Sequence, residues 1–315
     1  MRVLITGGNG FIGSHLVDQT LRAGWDVSVY DKDEERFRPR QEHVQYLRGN
    51  LYTDGVPQEA LRDLDVLYHL ACSTIHKTSN EDPVFDIQSN LVSTVKLLQQ
   101  CVEARVKRFV FLSSGGTVYG IPEDLPVSEA HVTNPICSYG IHKLAIEKYL
   151  DMFCRLYGLD YVVLRPSNPY GERQDYGQEQ GAVTVFLGKI ALGEPITIWG
   201  DGGTVRDYFH VEDLARACIS AATKKVDQRI LNVSSGVGLS LNQLVSRIEA
   251  VLGLEAHVER NSIGARPFDV PTLYLDSSEA ERVLSWRPEV SLDDGIIRTW
   301  LWVQSIVGED GKRSP

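Results

Sequence analysis

Through the first half of the chain, short unbroken apolar runs alternate with longer stretches of helical period. Val3-Leu4-Ile5 is too short for a helix and lacks the polar alternation of a half-exposed strand, so it predicts a strand buried on both faces. It stops at Gly7-Gly8-Asn9-Gly10-Phe11-Ile12-Gly13, after which Ile12, Leu16, Val17 and Leu21 recur on one helical face and predict a helix over 11–23. Gly24 ends that helix, and a second strand at 27–30 delivers Asp31 at its carboxyl end. The same reading gives strands at 44–47, 65–71, 108–112 and 161–164 and helices over 84–104 and 139–157. Strand alternating with helix in this way implies a parallel sheet covered on both faces, with ligands at the carboxyl ends of its strands.

After 165–171 the pattern changes: Gly, Gln and Asp become frequent and regular alternation is lost. We place a boundary there. Residues 1–165 form a sheet domain to which 206–235 returns, and 166–205 with 236–305 form a second, smaller lobe. Within the later part we expect a strand at 196–199, a loop at 200–207, helices at 211–222 and 241–252, and a last sheet strand at 230–233. A closing helical region at 282–302 is broken at Pro288, and the polar end, 306–315, is read as a disordered tail.

Composition narrows the partners. A formal charge of −10 over 315 residues argues against nucleic acid and anionic membrane surfaces, so any anionic ligand must be met by local cations or helix ends. No run of eighteen apolar residues is present, and the five cysteines form no C-x-x-C pair or metal spacing. The expectation is a cytoplasmic protein with reduced thiols and no bound metal. His69, His76, His142 and His210 are read as solvent or strand-end residues.

The glycine stretch carries the first chemical signal. Gly7 allows a tight turn, Gly10 admits a pyrophosphate close to the backbone, Gly13 lets helix and strand pack, and the amides of Phe11 and Ile12 open the helix toward phosphate. Asp31, eighteen residues after Gly13, stands where a carboxylate accepts both ribose hydroxyls of an adenosine. It argues for NAD over NADP, although Lys32 and Arg36 are cations able to neutralise an extra phosphate. The second signal is Tyr139-Gly140-Ile141-His142-Lys143, which puts Tyr139 and Lys143 on one helical face. A tyrosine acting as base at neutral pH needs its pKa lowered by about three units, and the nearby lysine supplies one charge toward that.

With these motifs, Ser113-Ser114 at a strand end and the stretch Arg165 to Gly171, the chain resembles the extended short-chain dehydrogenase/reductase superfamily. More narrowly it is similar to the NAD-dependent sugar-nucleotide epimerase/dehydratase family. The resemblance implies an α/β fold, a Rossmann-type doubly wound parallel sheet with a smaller mixed C-terminal substrate lobe, bound NAD and a homodimer. It implies cofactor contacts at Gly7, Gly10, Phe11, Ile12, Gly13, Asp31, Lys32, Asn50, Leu51, Leu70, Ala71, Asn90, Ser113, Tyr139, Lys143 and Pro166. Tyr139 would be the base and Lys143 its pKa-lowering partner. The family places a serine or threonine four residues before the tyrosine of the V-Y-G element, but Gly115 stands there; Ser114 and Thr117 are the substitutes, with Thr117 slightly preferred. Gly115-Gly116 is read either as a turn needing positive φ or as room for a bulkier sugar. Dehydratases of the family carry an Asp-Glu pair where this chain has Gly116 and Thr117, so the resemblance favours inversion at C4 of a UDP-sugar over elimination. UDP-glucose/galactose and the N-acetylhexosamine pair fit equally, a uronic-acid epimerase, a 4,6-dehydratase or a keto-sugar reductase are the alternatives, and a non-catalytic dinucleotide-binding regulator is the rival of another class. Asn168, Arg206, Arg266 and Asp269 match family positions for the nucleotide diphosphate, and Leu273 stands where some members narrow the sugar pocket with a tyrosine.

Overall fold

The computed structural model describes residues 1–177, 181–261 and 270–308. The strands are β1 (Arg2–Thr6), β2 (Asp26–Asp31), β3 (Val44–Arg48), β4 (Val66–His69), β5 (Arg108–Leu112), β6 (Asp160–Pro166), β7 (Asn168–Tyr170), β8 (Ile196–Trp199), β9 (Val205–His210), β10 (Ile230–Val233), β11 (Gly238–Ser240) and β12 (Val258–Asn261). Helices α1 (Phe11–Arg22), α2 (His76–Glu81), α3 (Pro83–Asp86), α4 (Ser93–Glu103), α5 (Gly115–Val118) and α6 (Ser138–Tyr157) belong to the first half. The second half holds α7 (Ala182–Ala191), α8 (Val211–Thr223), α9 (Leu241–Leu252), α10 (Ser278–Leu284) and α11 (Leu292–Val307).

Seven strands form one sheet in the order β10-β6-β5-β4-β1-β2-β3, with every neighbouring pair parallel. This is the expected doubly wound α/β sheet. The unbroken apolar run of β1 explains why it needs cover on both sides: Val3 and Ile5 enter one core with Leu16, Val17 and Leu214, while Leu4 enters the opposite core with Leu67, Leu97 and Phe109. The strand order reverses at β1, which lies between β2 and β4, and an open crevice follows at the carboxyl ends there.

The smaller lobe is mixed. β11 runs antiparallel to β9, β7 runs parallel to β9, and β12 pairs with β8. Its core joins Val183 and Leu187 of α7 to Leu244 and Ile248 of α9 and Ile296 and Val303 of α11.

Four expectations change. The segment read as a loop over 200–207 enters β9 at Val205. α7 was not foreseen, because its nearly continuous apolar sequence shows no polar face; it is covered by α9 and α11. The helix expected over 84–104 is interrupted by a π-helical turn, Ile87–Val92, between α3 and α4. At the end of the chain, α11 continues to Val307, which is buried in the lobe core, so 306 and 307 are helical rather than part of a disordered tail; 309–315 lie outside the described residues.

Candidate active site

The glycine turn sits at the carboxyl end of β1, with the Gly7 amide donating to the Tyr30 carbonyl at 2.9 Å. Gly7 has φ +76°, and a Cβ there would lie 2.8 Å from the Ala71 amide nitrogen. A Cβ on Gly13 would lie 2.1 Å from the Gly7 carbonyl, so the turn folds directly over the start of α1. Gly10 caps α1 without a side chain, and the first intrahelical bond runs from the Ser14 amide to the Gly10 carbonyl. The amides of Phe11, Ile12 and Gly13 are thereby left as donors at the crevice.

Around them, the Asp31 carboxylate accepts from the Asn9 amide at 2.9 Å and the Asp33 amide at 3.1 Å. Burial raises its pKa, and those amides oppose the rise. Lys32 is exposed beside it. Asn50, next to Leu51, accepts the Tyr52 amide at 3.0 Å, which commits its side-chain carbonyl to a turn. Leu70 and Ala71 follow β4 directly, and Pro166 closes β6 as a buried residue. At this end of the sheet Asn9 Oδ1 and Ser167 Oγ are buried without a partner among the described residues. The orphaned Asn9 Oδ1 in the glycine turn, beside the free helix amides, fits a polar, phosphate-bearing dinucleotide.

Tyr139 is positioned by an unusual cap. The Ser138 amide donates to Asn80 Oδ1 at 2.9 Å and the Tyr139 amide to Ser79 Oγ at 3.1 Å, so α2 satisfies the N-terminus of α6 from outside the helix. One turn on, Lys143 Nζ stands 5.4 Å from the Tyr139 ring centre and donates to the Leu112 carbonyl at 2.9 Å. The lysine is buried, and desolvation lowers its pKa, which Cys72, Asp86 and Glu147 oppose. The Tyr139 phenol is driven well above its ordinary value of 10 by burial first, and then by Cys72, Cys137 and Asp86. The chain alone therefore holds Tyr139 protonated.

The end of β5 is tied down below the site. Ser113 Oγ donates to Glu147, which is paired with Arg165 through Nε at 3.0 Å and through Nη2. Arg165 also donates to the Tyr119 hydroxyl at 2.9 Å, which in turn donates to Asn232 at 2.7 Å. The Ser113 hydroxyl is thus part of the scaffold. Ser114 is partly exposed; its carbonyl accepts from the Thr117 and Val118 amides, and no hydrogen bond ties its hydroxyl down among the described residues. Thr117 is buried and its hydroxyl makes a long 3.5 Å bond to the Ser114 carbonyl. Gly115 matches neither reading given to it: its φ is not positive, and a Cβ would lie 2.4 Å from Leu275 Cδ1 and 2.9 Å from the Arg165 carbonyl. Close packing of α5 on β6 excludes a side chain there. At Gly116 a Cβ would meet nothing nearer than Ser114 Oγ at 3.9 Å, so space is present at that position.

On the substrate side, Asn168 donates to the Asp207 carbonyl at 3.0 Å, and Arg206 donates to the carbonyls of Val205 and Val270. Arg266 and Asp269 lie outside the described residues. Leu273 is 1% exposed, packed with Val118, Val127 and Leu275, and so does not border an open pocket.

The histidines need correction. His69 and His210 do end strands, but both are buried, and His142 is buried rather than in solvent. His69 is held between Thr6 Oγ1 and Thr94 Oγ1, each at 2.8 Å. His142 Nδ1 lies 2.9 Å from Asp86 Oδ2. Asp86, which sequence reasoning missed altogether, also accepts from Thr74, from Asn90 at 3.0 Å and from Ser138 at 2.7 Å. Asn90 in addition accepts the Ser73 amide at 2.8 Å, pinning the loop after β4. Asp86 and Asn90, four apart where α3 runs into the π-helical turn, form one hub whose partners on α6, Ser138 and His142, are 52 and 56 positions away, beyond any local periodicity signal.

A family model described as the NAD-dependent epimerase/dehydratase family matches residues 3–234. The chain is 35% identical over 307 residues to the UDP-glucose 4-epimerase of Mycolicibacterium smegmatis, covering 95% of this chain and 97% of that one. Among solved structures it is similar to the UDP-glucose 4-epimerase of Thermotoga maritima in complex with UDP-glucose, with TM-score 0.90, 33% identity and coverage of 98% and 100%. It is similar also to the UDP-N-acetylglucosamine 4-epimerase of Methanobrevibacter ruminantium, with TM-score 0.89, 31% identity and coverage of 96% and 98%.

Proposed function

The chain belongs to the NAD-dependent epimerase/dehydratase family, and from its site we propose that it inverts C4 of a UDP-hexose, either glucose/galactose or the N-acetylhexosamine pair. The observation that carries this reading is Tyr139 with Lys143 one turn below it, beside a strand end that has Gly116 and Thr117 where elimination would need two carboxyls. Asp86 does not take their place, because both its oxygens are committed to buried donors.

NAD accepts and returns a hydride when bound. Tyr139 takes the proton of the C4 hydroxyl and returns it to that same oxygen, and inversion comes from the keto-sugar presenting its other face before C4 is reduced again. Burial, with Cys72, Cys137 and Asp86 nearby, favours the protonated phenol, and Lys143, already fixed beside it, is the chain's own cation opposing them; a bound oxidised nicotinamide would add a second positive charge. Ser114, whose hydroxyl is uncommitted, orients the sugar hydroxyl; Thr117 is the weaker candidate because it is buried. Gly7, Gly10 and Gly13 with the amides of Phe11 and Ile12 hold the pyrophosphate, and Asp31 holds the adenosine ribose, with Lys32, Asn50, Leu51, Leu70, Ala71, Asn90, Ser113 and Pro166 completing the walls. Arg206 and Arg266 meet the diphosphate of the substrate, supported by Asn168 and Asp269.

No helix among the described residues is long and apolar enough to cross a membrane. A homodimer fits the exposed apolar side chains of α6 and its neighbours, Ile141 (55% exposed), Leu156 (63%) and Val84 (64%) among them.

Incubating the protein and NAD with UDP- and dTDP-hexoses, their 2-acetamido forms and their uronic acids, read by proton NMR, tests the reading. Appearance of the C4 epimer without net NADH supports it. A 4-keto-6-deoxy product, stoichiometric NADH, or no turnover with normal NAD binding replaces it with a dehydratase, a dehydrogenase or a silent dinucleotide-binding protein.

A further inference from the structure

We propose that the buried Asp86–His142 pair is a positioning device that sets the orientation of the Tyr139 phenol and the pH at which it works. The inference rests on Tyr139 being the base. His142 lies one helical step before Lys143, fully buried, with its ring centre 5.1 Å from that of Tyr139 and its plane tilted by 67°. His76 of α2 packs on Tyr139 as well, 4.8 Å away at 64°. An imidazole thus packs on the phenol ring from each of two helices, and Asp86 anchors that of His142.

The anchor is Asp86. An ionised carboxylate only accepts, so the 2.9 Å contact requires the proton on His142 Nδ1 and leaves Nε2 as the unprotonated nitrogen. Nε2 is buried without a partner among the described residues, so neither ring nitrogen of His142 is left able to donate toward the phenol. Asp86 also receives Ser138, the residue before Tyr139, and Thr74 of the loop after β4. One buried carboxylate thereby fixes the ring beside the phenol, the first turn of its helix and the loop facing it.

The titratable groups around the phenol come from several elements. Lys143 and His142 share its helix, Cys137 precedes it, His76 comes from α2, Cys72 from the loop after β4 and Asp86 from α3. Asp86 is the anion in that set that a single isosteric change removes. Its charge opposes ionisation of the phenol, so its removal moves the acid limb of the rate profile down in pH.

The test compares His142→Phe, His142→Asn and Asp86→Asn, with UDP-hexose turnover followed from pH 5.5 to 9. His142→Phe keeps a ring and loses the bond to Asp86; kcat falls roughly ten- to hundredfold with substrate KM and NAD affinity unchanged. His142→Asn restores a donor toward Asp86 and recovers most of the loss. Asp86→Asn shifts the acid limb downward by about half a pH unit or more. The proposal is overturned if His142→Phe turns over like the parent, if its loss appears as raised KM, or if Asp86→Asn leaves the limb in place. Should Asp86→Asn not fold, the histidine pair decides alone. Tyr139→Phe run in parallel separates the two levels: an active Tyr139→Phe removes the base itself, whereas an inactive one beside a normal His142→Phe removes only the positioning role.

Discussion

Lys143 Nζ donates to the Leu112 carbonyl at 2.9 Å, joining the helix that carries Tyr139 to the end of β5. The ammonium is therefore fixed in place before any ligand enters. Lys143→Met removes the charge and keeps much of the stem. We expect kcat to fall by about a hundredfold or more, with the acid limb of the profile moving up because the phenol loses a neighbouring cation. Steady-state kinetics across pH check both.

On the proposed reading, Ser114 and Thr117 are the two candidates for the hydrogen bond to the sugar hydroxyl. The uncommitted Ser114 hydroxyl leads us to expect a kcat loss of roughly ten- to hundredfold for Ser114→Ala and a smaller one for Thr117→Ala. The reverse order assigns the role to Thr117.

Restoring the family's serine does not help this chain. A Cβ on Gly115 meets Leu275 at 2.4 Å and the Arg165 carbonyl at 2.9 Å, and the latter is backbone. Gly115→Ser is expected to destabilise by about 1–3 kcal/mol through overpacking, without raising kcat. Thermal melting and turnover of the same preparation decide it.

Glu147 and Arg165 are 1% and 3% exposed at the side chain and form a buried ion pair. Breaking it leaves a guanidinium without its partner, so Glu147→Ala is expected to cost about 3–5 kcal/mol. Glu147→Gln keeps the shape and some of the bonds to Ser113 and Arg165, and should cost less. Chemical denaturation with an unchanged m-value is the measurement.

Acid stability follows from buried histidines. Burial holds His15 and His142 at about 4 and His69 at about 3, against 6.5 for a free imidazole. Between those values the unfolded chain binds protons that the folded chain refuses, so stability present above pH 6.5 is lost as the pH falls toward 4. Each histidine contributes a slope of up to about 1.4 kcal/mol per pH unit in that window. His69→Gln lowers stability at pH 7.5, yet should flatten the fall between pH 6.5 and 4.5 in denaturant titrations.

What could be read in advance followed local rules. The strand, turn and helix from Val3 to Arg22 were legible because apolar period and glycine placement are both local in sequence. The unforeseen parts depended on distant partners. α7 shows no polar face because α9 and α11 cover it, β9 is formed by pairing with β7 and β11, and Asp86 meets Ser138 and His142 across 52 and 56 positions of sequence. Gly115 looked like a conformational or substrate-driven choice, and is in fact a packing one.

Sequence by itself determined the alternation of strand and helix, the position of the glycine turn between them, and the placing of Tyr139 and Lys143 on one helical face. These are consequences of short-range periodicity and of the i, i+4 geometry of a helix. Tertiary structure alone decided that Lys143 reaches the end of β5, that α2 caps the helix of Tyr139, and that a buried aspartate and histidine stand behind the phenol. Those relations join residues 31 to 60 positions apart, and whether a polar side chain meets a partner or water at that range is set by which surfaces the folded core brings together.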